Sequence, residues 1–290
     1  MLCLFGVLSM VIGGEGTLGV VSELEVALRP APAAIVGLVC FFGERCGALE
    51  FVGRLRAELP RPAGAPGVAA IEYFDQAALR LLAEQKRGNP AFASLPQVPV
   101  EPQAAVYVEI HAPDHDQAEE LTLTAAALLE ACGGDEQATW MADRPAEVAR
   151  LKEFRHALPE AVNLLIDGRR RENPGLTKLG TDMAVPHGEL TGMLGLYEEG
   201  LRDGDLEAVM FGHIGDSHIH VNILPRNLED YRRGRALYES WAAEAVARGG
   251  TVSAEHGIGK LKVPLLSILY GEEGMREMRR TIEVFNPGLR

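Results

Sequence analysis

Two short apolar segments joined by a histidine-rich turn constrain the fold of this chain more than any other feature. Residues 206–211 and 219–224 are rich in apolar and β-branched side chains, which is typical of strands. Gly215-Asp216 between them is a hairpin turn signal. Because side chains alternate along a strand, residues two apart share a face, and a residue before the turn can oppose one after it. The spacing predicts three imidazoles on one side of one hairpin, those of His213, His218 and His220.

These histidines and a nearby carboxylate have the composition of a metal site. Four of the eight histidines of the chain lie within residues 213–220 or at position 256. Glu255 precedes His256 in a glycine-rich turn. Imidazoles combined with a carboxylate suit a divalent metal, with zinc expected first and manganese or iron as alternatives. The pattern predicts a metal site with a position open for substrate; the alternative is a hairpin of solvated or hydrogen-bonded histidines.

The overall charge excludes one large class of functions. The chain has 28 Lys and Arg against 41 Asp and Glu, which gives a net charge of −13. Such a surface repels nucleic acid and has no electrostatic attraction to anionic lipid. The four cysteines form no Cys-x-x-Cys pair, which indicates reduced thiols and a cytoplasmic location. We therefore expect a soluble protein that does not bind nucleic acid.

Strands and helices are predicted to alternate along the chain. The patterns predict strands at residues 20–28, 37–42, 69–74, 104–111 and 137–141. They predict helices at residues 48–58, 76–85 and 117–131. Together with the later hairpin, this order predicts an α+β fold of the ferredoxin-like type, in which an antiparallel sheet carries helices on one face. The unit is present once or duplicated.

An arginine near the middle of the chain is a candidate anion-binding residue. Residues 147–155 have helical periodicity, and Arg155 is followed by a helix turn that contains proline. The guanidinium group is planar and permanently charged, so it suits a carboxylate. The alternative is a solvated helix face on which Arg155 pairs with a nearby glutamate.

Five sequence blocks together resemble one known family. They are residues 14–21, 181–186, 212–222, 255–259 and 285–288, and their order along the chain is the same as in the family. The family is that of the FAD-linked oxidases, which contains D-lactate dehydrogenases, D-2-hydroxyglutarate dehydrogenase and the flavin subunit of glycolate oxidase. The resemblance covers nearly the whole chain and implies the same ferredoxin-like fold.

The resemblance also implies a division of the chain. Residues 1–29 look like a remnant of the FAD-binding domain, and residues 30–290 look like the C-terminal substrate or cap domain. The phosphate-cradling loop of the family has no counterpart before residue 13. We therefore expect FAD to be bound mainly by a domain that this sequence lacks, and the chain alone to be inactive and to retain no stoichiometric FAD. A minor FAD contact is expected from Glu15, Gly16, Thr17, Leu18 and Gly19.

The family's chemistry implies specific roles for the candidate residues. A divalent metal would be held by His213, His220 and Glu255 and would bind a 2-hydroxy acid, while His256 would accept the hydroxyl proton. The substrate is expected to contact Arg155, Lys178 and Asn222. Two positions depart from the family pattern: Lys178 lies further from the following aspartate, and His218 stands where the family usually has asparagine.

The resemblance also implies binding partners, and the residues allow two alternative functions. The resemblance implies a separate FAD-binding subunit, or self-association through the apolar residues 2–8. An iron–sulfur electron-acceptor subunit is a further expected partner, through which the protein would lie at the inner membrane. Two other functions use the same residues: a stand-alone metal-dependent hydrolase or lyase, and a non-catalytic binding module. A neighbouring reading frame that encodes an FAD-binding domain would favour the dehydrogenase.

Overall fold

A computed structural model describes residues 10–59 and 66–288, and one antiparallel sheet organises them. Its strands are β1 Ala34–Phe42, β2 Gly67–Asp75, β3 Ala104–Ala112, β4 Gly134–Ala142, β5 Leu179–Gly180, β6 Ala208–Gly212 and β7 His220–Ile223. The helices are α1 Arg45–Glu58, α2 Gln76–Gly88, α3 His115–Ala131, α4 Pro145–Arg170, α5 Leu190–Asp203, α6 Leu228–Ala247 and α7 Val263–Phe285. Short 3-10 turns occur at Pro90–Phe92, His187–Glu189 and Ile214–Asp216.

The first half of the sheet has the ferredoxin-like strand order. Its four strands lie in the order β4-β1-β3-β2, and every neighbouring pair is antiparallel. Helix α1 connects β1 to β2 and helix α3 connects β3 to β4, as in a split β-α-β unit. Helix α2 is an addition between β2 and β3. The predicted α+β antiparallel fold is confirmed.

The second half of the sheet repeats this order in reverse. Strands β6, β7 and β5 follow β2 across the sheet, so β2 and β6 join the two halves through the pairs Tyr73↔Gly212 and Phe74↔Phe211. Beyond β5, a single residue forms bridges on both sides, since Ala184 pairs with His218 and with Thr251. Thr251 follows α6 and occupies the place of a fourth strand. The topology therefore supports the duplicated form of the predicted architecture.

Helices cover both faces of the sheet, which corrects the expectation of one covered face. Cys40 and Phe42 of β1 belong to a hydrophobic cluster with Phe51 of α1, whereas Phe41 belongs to a second cluster with Phe154 of α4. Consecutive residues of β1 are therefore buried on opposite faces. The physical reason is visible in the continuous apolar sequence of β1, because a strand with apolar side chains on both faces needs cover on both.

The predicted strand at residues 20–28 is wrong. These residues form no strand in the structure, and the side chains of Val20 and Leu28 are 93% and 88% exposed. A strand needs a neighbouring chain to accept and donate its backbone hydrogen bonds, and no described residue pairs with this segment. The apolar residues 2–8, expected to drive association, lie outside the described residues.

None of the helices in the described residues is long and apolar enough to cross a membrane. The longest, α4, has 26 residues but carries charged side chains along its length.

Candidate metal centre

The hairpin of β6 and β7 brings the three histidines together. Phe211 pairs with His220 in the ladder, and a 3-10 turn followed by Ser217 in the left-handed conformation, at φ 54°, closes the connection. The ring centroid of His218 lies 5.5 Å from that of His213 and 4.4 Å from that of His220. The convergence that the spacing predicts is therefore present.

A carboxylate from the loop after α6 completes this group. Glu255 Oε1 lies 3.2 Å from His213 Nε2 and 2.9 Å from His220 Nε2. One ligand atom from each of His213, His218, His220 and Glu255 lies within 4.8 Å of all the others. Imidazole nitrogens and one carboxylate match the donor preferences of zinc and related divalent metals. The residues present thus fit the metal that the sequence predicts, although its binding stays a prediction.

Hydrogen bonds behind the rings orient two of the imidazoles. His213 Nδ1 lies 3.0 Å from Glu72 Oε1, and His220 Nδ1 lies 2.8 Å from the carbonyl oxygen of Thr181. In both rings the Nε2 atom consequently faces Glu255. The bond to Glu72 raises the pKa of His213 to about 8, whereas burial lowers the pKa of His220. Such backing partners are typical of metal-ligating histidines.

His218 is a further nitrogen donor beyond the ligand set that the resemblance implies. The residue is 4% exposed, and its Nε2 atom lies 3.1 Å from Asp182 Oδ1. Its imidazole stands where the resembled family usually has asparagine, so this chain has one more nitrogen donor at the site.

Asp182 fixes the loop that carries Glu255 and His256. Its carboxylate accepts hydrogen bonds from Ser253 Oγ at 2.6 Å and from the backbone N–H of His256 at 3.1 Å. Lys262 Nζ donates to the same carboxylate. Burial alone would raise the pKa of Asp182, but the nearby His218 and the hydrogen bonds from Lys262 and Ser253 outweigh burial and hold that pKa far below its usual range. The carboxylate therefore stays ionised and anchors the loop.

His256, the predicted base, lies at the open side of the group. Its side chain is 64% exposed, and its Nε2 atom is 3.3 Å from Glu255 Oε1. The ring centroid lies 5.2 Å from that of His220. The imidazole is therefore exposed and in contact with Glu255 of the donor group.

The predicted substrate residues share one cavity with the predicted metal ligands. This cavity has a volume of about 610 Å³. Its lining includes Arg155, Lys178, Asn222, His213, His220, Glu255 and His256. Arg155 Nη2 lies 2.6 Å from Glu72 Oε1, so its partner is a buried carboxylate of β2 and not a solvated neighbour on its own helix. Lys178 is exposed at the cavity wall.

The predicted FAD-contacting residues lie against the loop that carries the base. The carboxylate of Glu15 accepts hydrogen bonds from the backbone N–H groups of Ile258 and Gly259. Thr17 Oγ1 donates to the carbonyl oxygen of Gly14 at 2.6 Å. The Glu15 carboxylate is thus already occupied by protein donors, and a contact of residues 15–19 with FAD stays a prediction.

Sequence reasoning assigned no role to Glu72, Asp182 or Lys262. Glu72 could have been found, because it is an acidic residue between the large apolar residues Ile71 and Tyr73 of β2, and a buried carboxylate needs partners. Asp182 gives a sequence signal only as a member of the block 181–186. Lys262 gives no local signal, since its partner Asp182 lies 80 residues away.

The chain matches the family described as FAD linked oxidases, C-terminal domain, over residues 36–288. It belongs to that family, which confirms the resemblance of the five sequence blocks. The chain is 26% identical over 279 residues to the glycolate oxidase subunit GlcD of Bacillus subtilis (strain 168), covering 95% of this chain and 54% of that protein. It is 27% identical over 292 residues to the D-2-hydroxyglutarate dehydrogenase of Xanthomonas citri pv. viticola, covering 97% of this chain and 55% of that protein.

A probable mitochondrial D-lactate dehydrogenase of Danio rerio is 25% identical over 292 residues, covering 98% of this chain and 54% of that protein. The chain therefore spans about half the length of these curated relatives. Among solved structures, p-cresol methylhydroxylase with substrate bound superposes with a TM-score of 0.61 at 11% identity, covering 89% of this chain and 52% of that one. This likeness concerns the fold alone.

Proposed function

We propose that this chain is the substrate- and metal-binding half of a flavin-dependent D-2-hydroxyacid dehydrogenase of the D-lactate, glycolate or 2-hydroxyglutarate type. The observation that carries the proposal is the convergence of His213, His220 and Glu255 beside the exposed imidazole of His256. Relatives named as glycolate oxidase, D-lactate dehydrogenase and D-2-hydroxyglutarate dehydrogenase support the substrate class.

The metal and the flavin have distinct parts in this proposal. A divalent metal held by His213, His220 and Glu255, when bound, supplies a Lewis acid that makes the substrate hydroxyl more acidic. FAD, when bound, supplies the hydride acceptor. We infer that FAD is held mainly by a separate domain or subunit, since the chain spans about half the length of its curated relatives and Glu15 of the segment 15–19 is already hydrogen bonded within the protein.

The side chains of this chain bind the substrate and move one proton. His256 Nε2 accepts the hydroxyl proton at the open rim of the cavity, where it lies 3.3 Å from Glu255. Arg155 holds the substrate carboxylate through guanidinium N–H groups other than the one that contacts Glu72. Lys178 adds positive charge at the wall of the same cavity, and Asn222 offers an amide.

The division of labour between Glu255 and His256 provides the test. Glu255→Ala should lose both bound metal and turnover, because it removes a ligand. His256→Ala should keep the metal and lose turnover by ~10²- to 10⁴-fold, the usual contribution of a general base. Metal content is measured by elemental analysis of each purified variant.

Turnover requires the chain together with an FAD-binding partner, a panel of D-2-hydroxy acids and an artificial electron acceptor. If His256→Ala oxidises its best substrate as fast as the wild type, the assignment of the base is wrong. If Glu255→Ala retains full metal, a different group must complete the histidine site.

A further inference from the structure

One buried carboxylate contacts two parts of the site at once. Glu72 of β2 is 4% exposed. Its carboxylate lies 2.9 Å from His213 Nδ1 and 2.6 Å from Arg155 Nη2. The three residues come from β2, from the end of β6 and from α4, so the contact also joins the two halves of the sheet. Glu72 therefore links the predicted metal ligand to the predicted substrate-binding cation.

Burying the Glu72 carboxylate is unfavourable unless charged or hydrogen-bonding partners offset the cost. Its neighbours Ile71 and Tyr73 pack into the hydrophobic cluster on one face of the sheet, and Glu72 projects toward the other face, which α4 covers. Removing a carboxylate from water carries a large free-energy cost that only paired charges and hydrogen bonds offset. Arg155 and His213 provide both.

The contact between Glu72 and His213 selects one tautomer of the His213 imidazole. Both oxygens of Glu72 lie near His213 Nδ1, at 3.0 and 2.9 Å. An ionised carboxylate can only accept hydrogen bonds, so Nδ1 must carry a proton. In the neutral ring, the lone pair is then on Nε2, which faces the Glu255 carboxylate at 3.2 Å; two acceptors this close need a cation between them, either a proton or a metal ion. This tautomer is the form that a metal ligand requires.

We propose that Glu72 is a positioning residue shared by the metal and substrate parts of the site. It fixes the Nε2-donor form of His213 and holds the Arg155 guanidinium at the cavity wall. This inference rests on the proposed metal site. It predicts that removing the charge of Glu72 weakens metal binding although Glu72 is not itself a ligand.

The chain contains a matched control for this substitution. Glu109 lies on the adjacent strand β3, is 6% exposed and contacts Lys152 of α4 at 3.1 Å. Its other partners are Tyr107 and His111, neither of which belongs to the donor group. Glu109→Gln therefore removes a buried carboxylate from the same region and leaves His213 untouched.

Glu72→Gln should act on the metal specifically. The amide replaces one acceptor oxygen with an N–H donor, which must face either the protonated Nδ1 of His213 or the guanidinium of Arg155, and both are donors. We expect Glu72→Gln to bind Co²⁺ about 10- to 100-fold more weakly than the wild type in a spectroscopic titration. Glu109→Gln should stay within about twofold of the wild type. Equal Co²⁺ affinities in folded Glu72→Gln and Glu109→Gln would overturn the inference.

A measurement without metal separates this inference from the proposed function. The ¹⁵N shifts of the neutral His213 ring in metal-free protein report which nitrogen carries the proton. We expect Nδ1–H in the wild type and in Glu109→Gln, and a loss of this preference in Glu72→Gln. If the wild type binds no Co²⁺, the proposed metal function fails. The positioning role is then decided by the shifts alone, and the same tautomer in Glu72→Gln and wild type would overturn it.

Discussion

The two halves of the sheet share a strand order but differ in what they bury. Each strand of the first half has nine residues, whereas those of the second half have two, five and four. Buried polar residues of the first half are Glu72, Glu109 and Thr122, and those of the second half are Thr181, Asp182, Ser217, His218, His220, Asn222 and Asp230, among the residues described. Long strands give the first half a continuous apolar core. Short strands end early in the second half and leave room for polar side chains.

The largest expected effect on stability lies in the first half. Phe51 of α1 is fully buried and packs 5.5 Å from the Phe42 ring, centroid to centroid. Phe51→Ala should lower the free energy of unfolding by about 3–5 kcal/mol, because it removes apolar contacts and leaves a cavity. Urea denaturation with a chelator present measures this without a contribution from metal.

Leu123→Ala on α3 is the control, since that side chain is 63% exposed, and its effect should stay within about 0.5 kcal/mol. A loss of less than about 1 kcal/mol for Phe51→Ala would show that the first half does not provide the stable core.

A smaller effect, dependent on pH, is expected from the contact between the halves. The hydrogen bond to Glu72 raises the pKa of His213 from 6.5 to about 8 in the folded chain. The protonated ring therefore stabilises the fold fully below pH 6.5, and this contribution is lost as the pH rises through 8. Partial exposure reduces it to about 1 kcal/mol.

Denaturation of the metal-free chain between about pH 6 and pH 9 measures this change. Glu72→Gln should flatten that part of the profile. A wild-type profile that already matches the one for Glu72→Gln would mean that the ion pair between the halves contributes nothing.

Local effects of similar size are expected from the helix N-caps of the two halves. Asp114 accepts from the backbone N–H of Gln117 at the start of α3, and Asn227 accepts from those of Glu229 and Asp230 at the start of α6. Asp114→Ala and Asn227→Ala should each lower the free energy of unfolding by about 1 kcal/mol. Thermal unfolding compares the two variants. A clearly larger loss for Asn227→Ala would indicate that the short-stranded half depends more on local hydrogen bonds.

The same contrast explains how much the sequence can predict. Strands β1 to β4 and the hairpin of β6 and β7 follow from local patterns, because apolar periodicity reflects burial directly. The convergence of His213, His218 and His220 follows from spacing within one hairpin. Glu72 is visible in the sequence as an acidic residue between apolar ones, but its partners Arg155 and His213 lie far away in the chain. Asp182, the carboxylate partner of Lys262, is likewise 80 residues away, and local periodicity does not report such contacts. Residues 20–28 have a strand-like pattern, but a strand also depends on a neighbour that the pattern does not report.

The metal content of histidine variants tests the central claim, that the second half of the sheet builds a metal site. His213→Ala and His220→Ala should each lose most of the zinc that elemental analysis finds in the wild type, because each removes one ligand from a small site. His111→Ala is the matched control in the first half, where His111 contacts Glu109 at 2.6 Å, and it should keep the zinc. Equal zinc in all four proteins, or none in the wild type, would contradict the account.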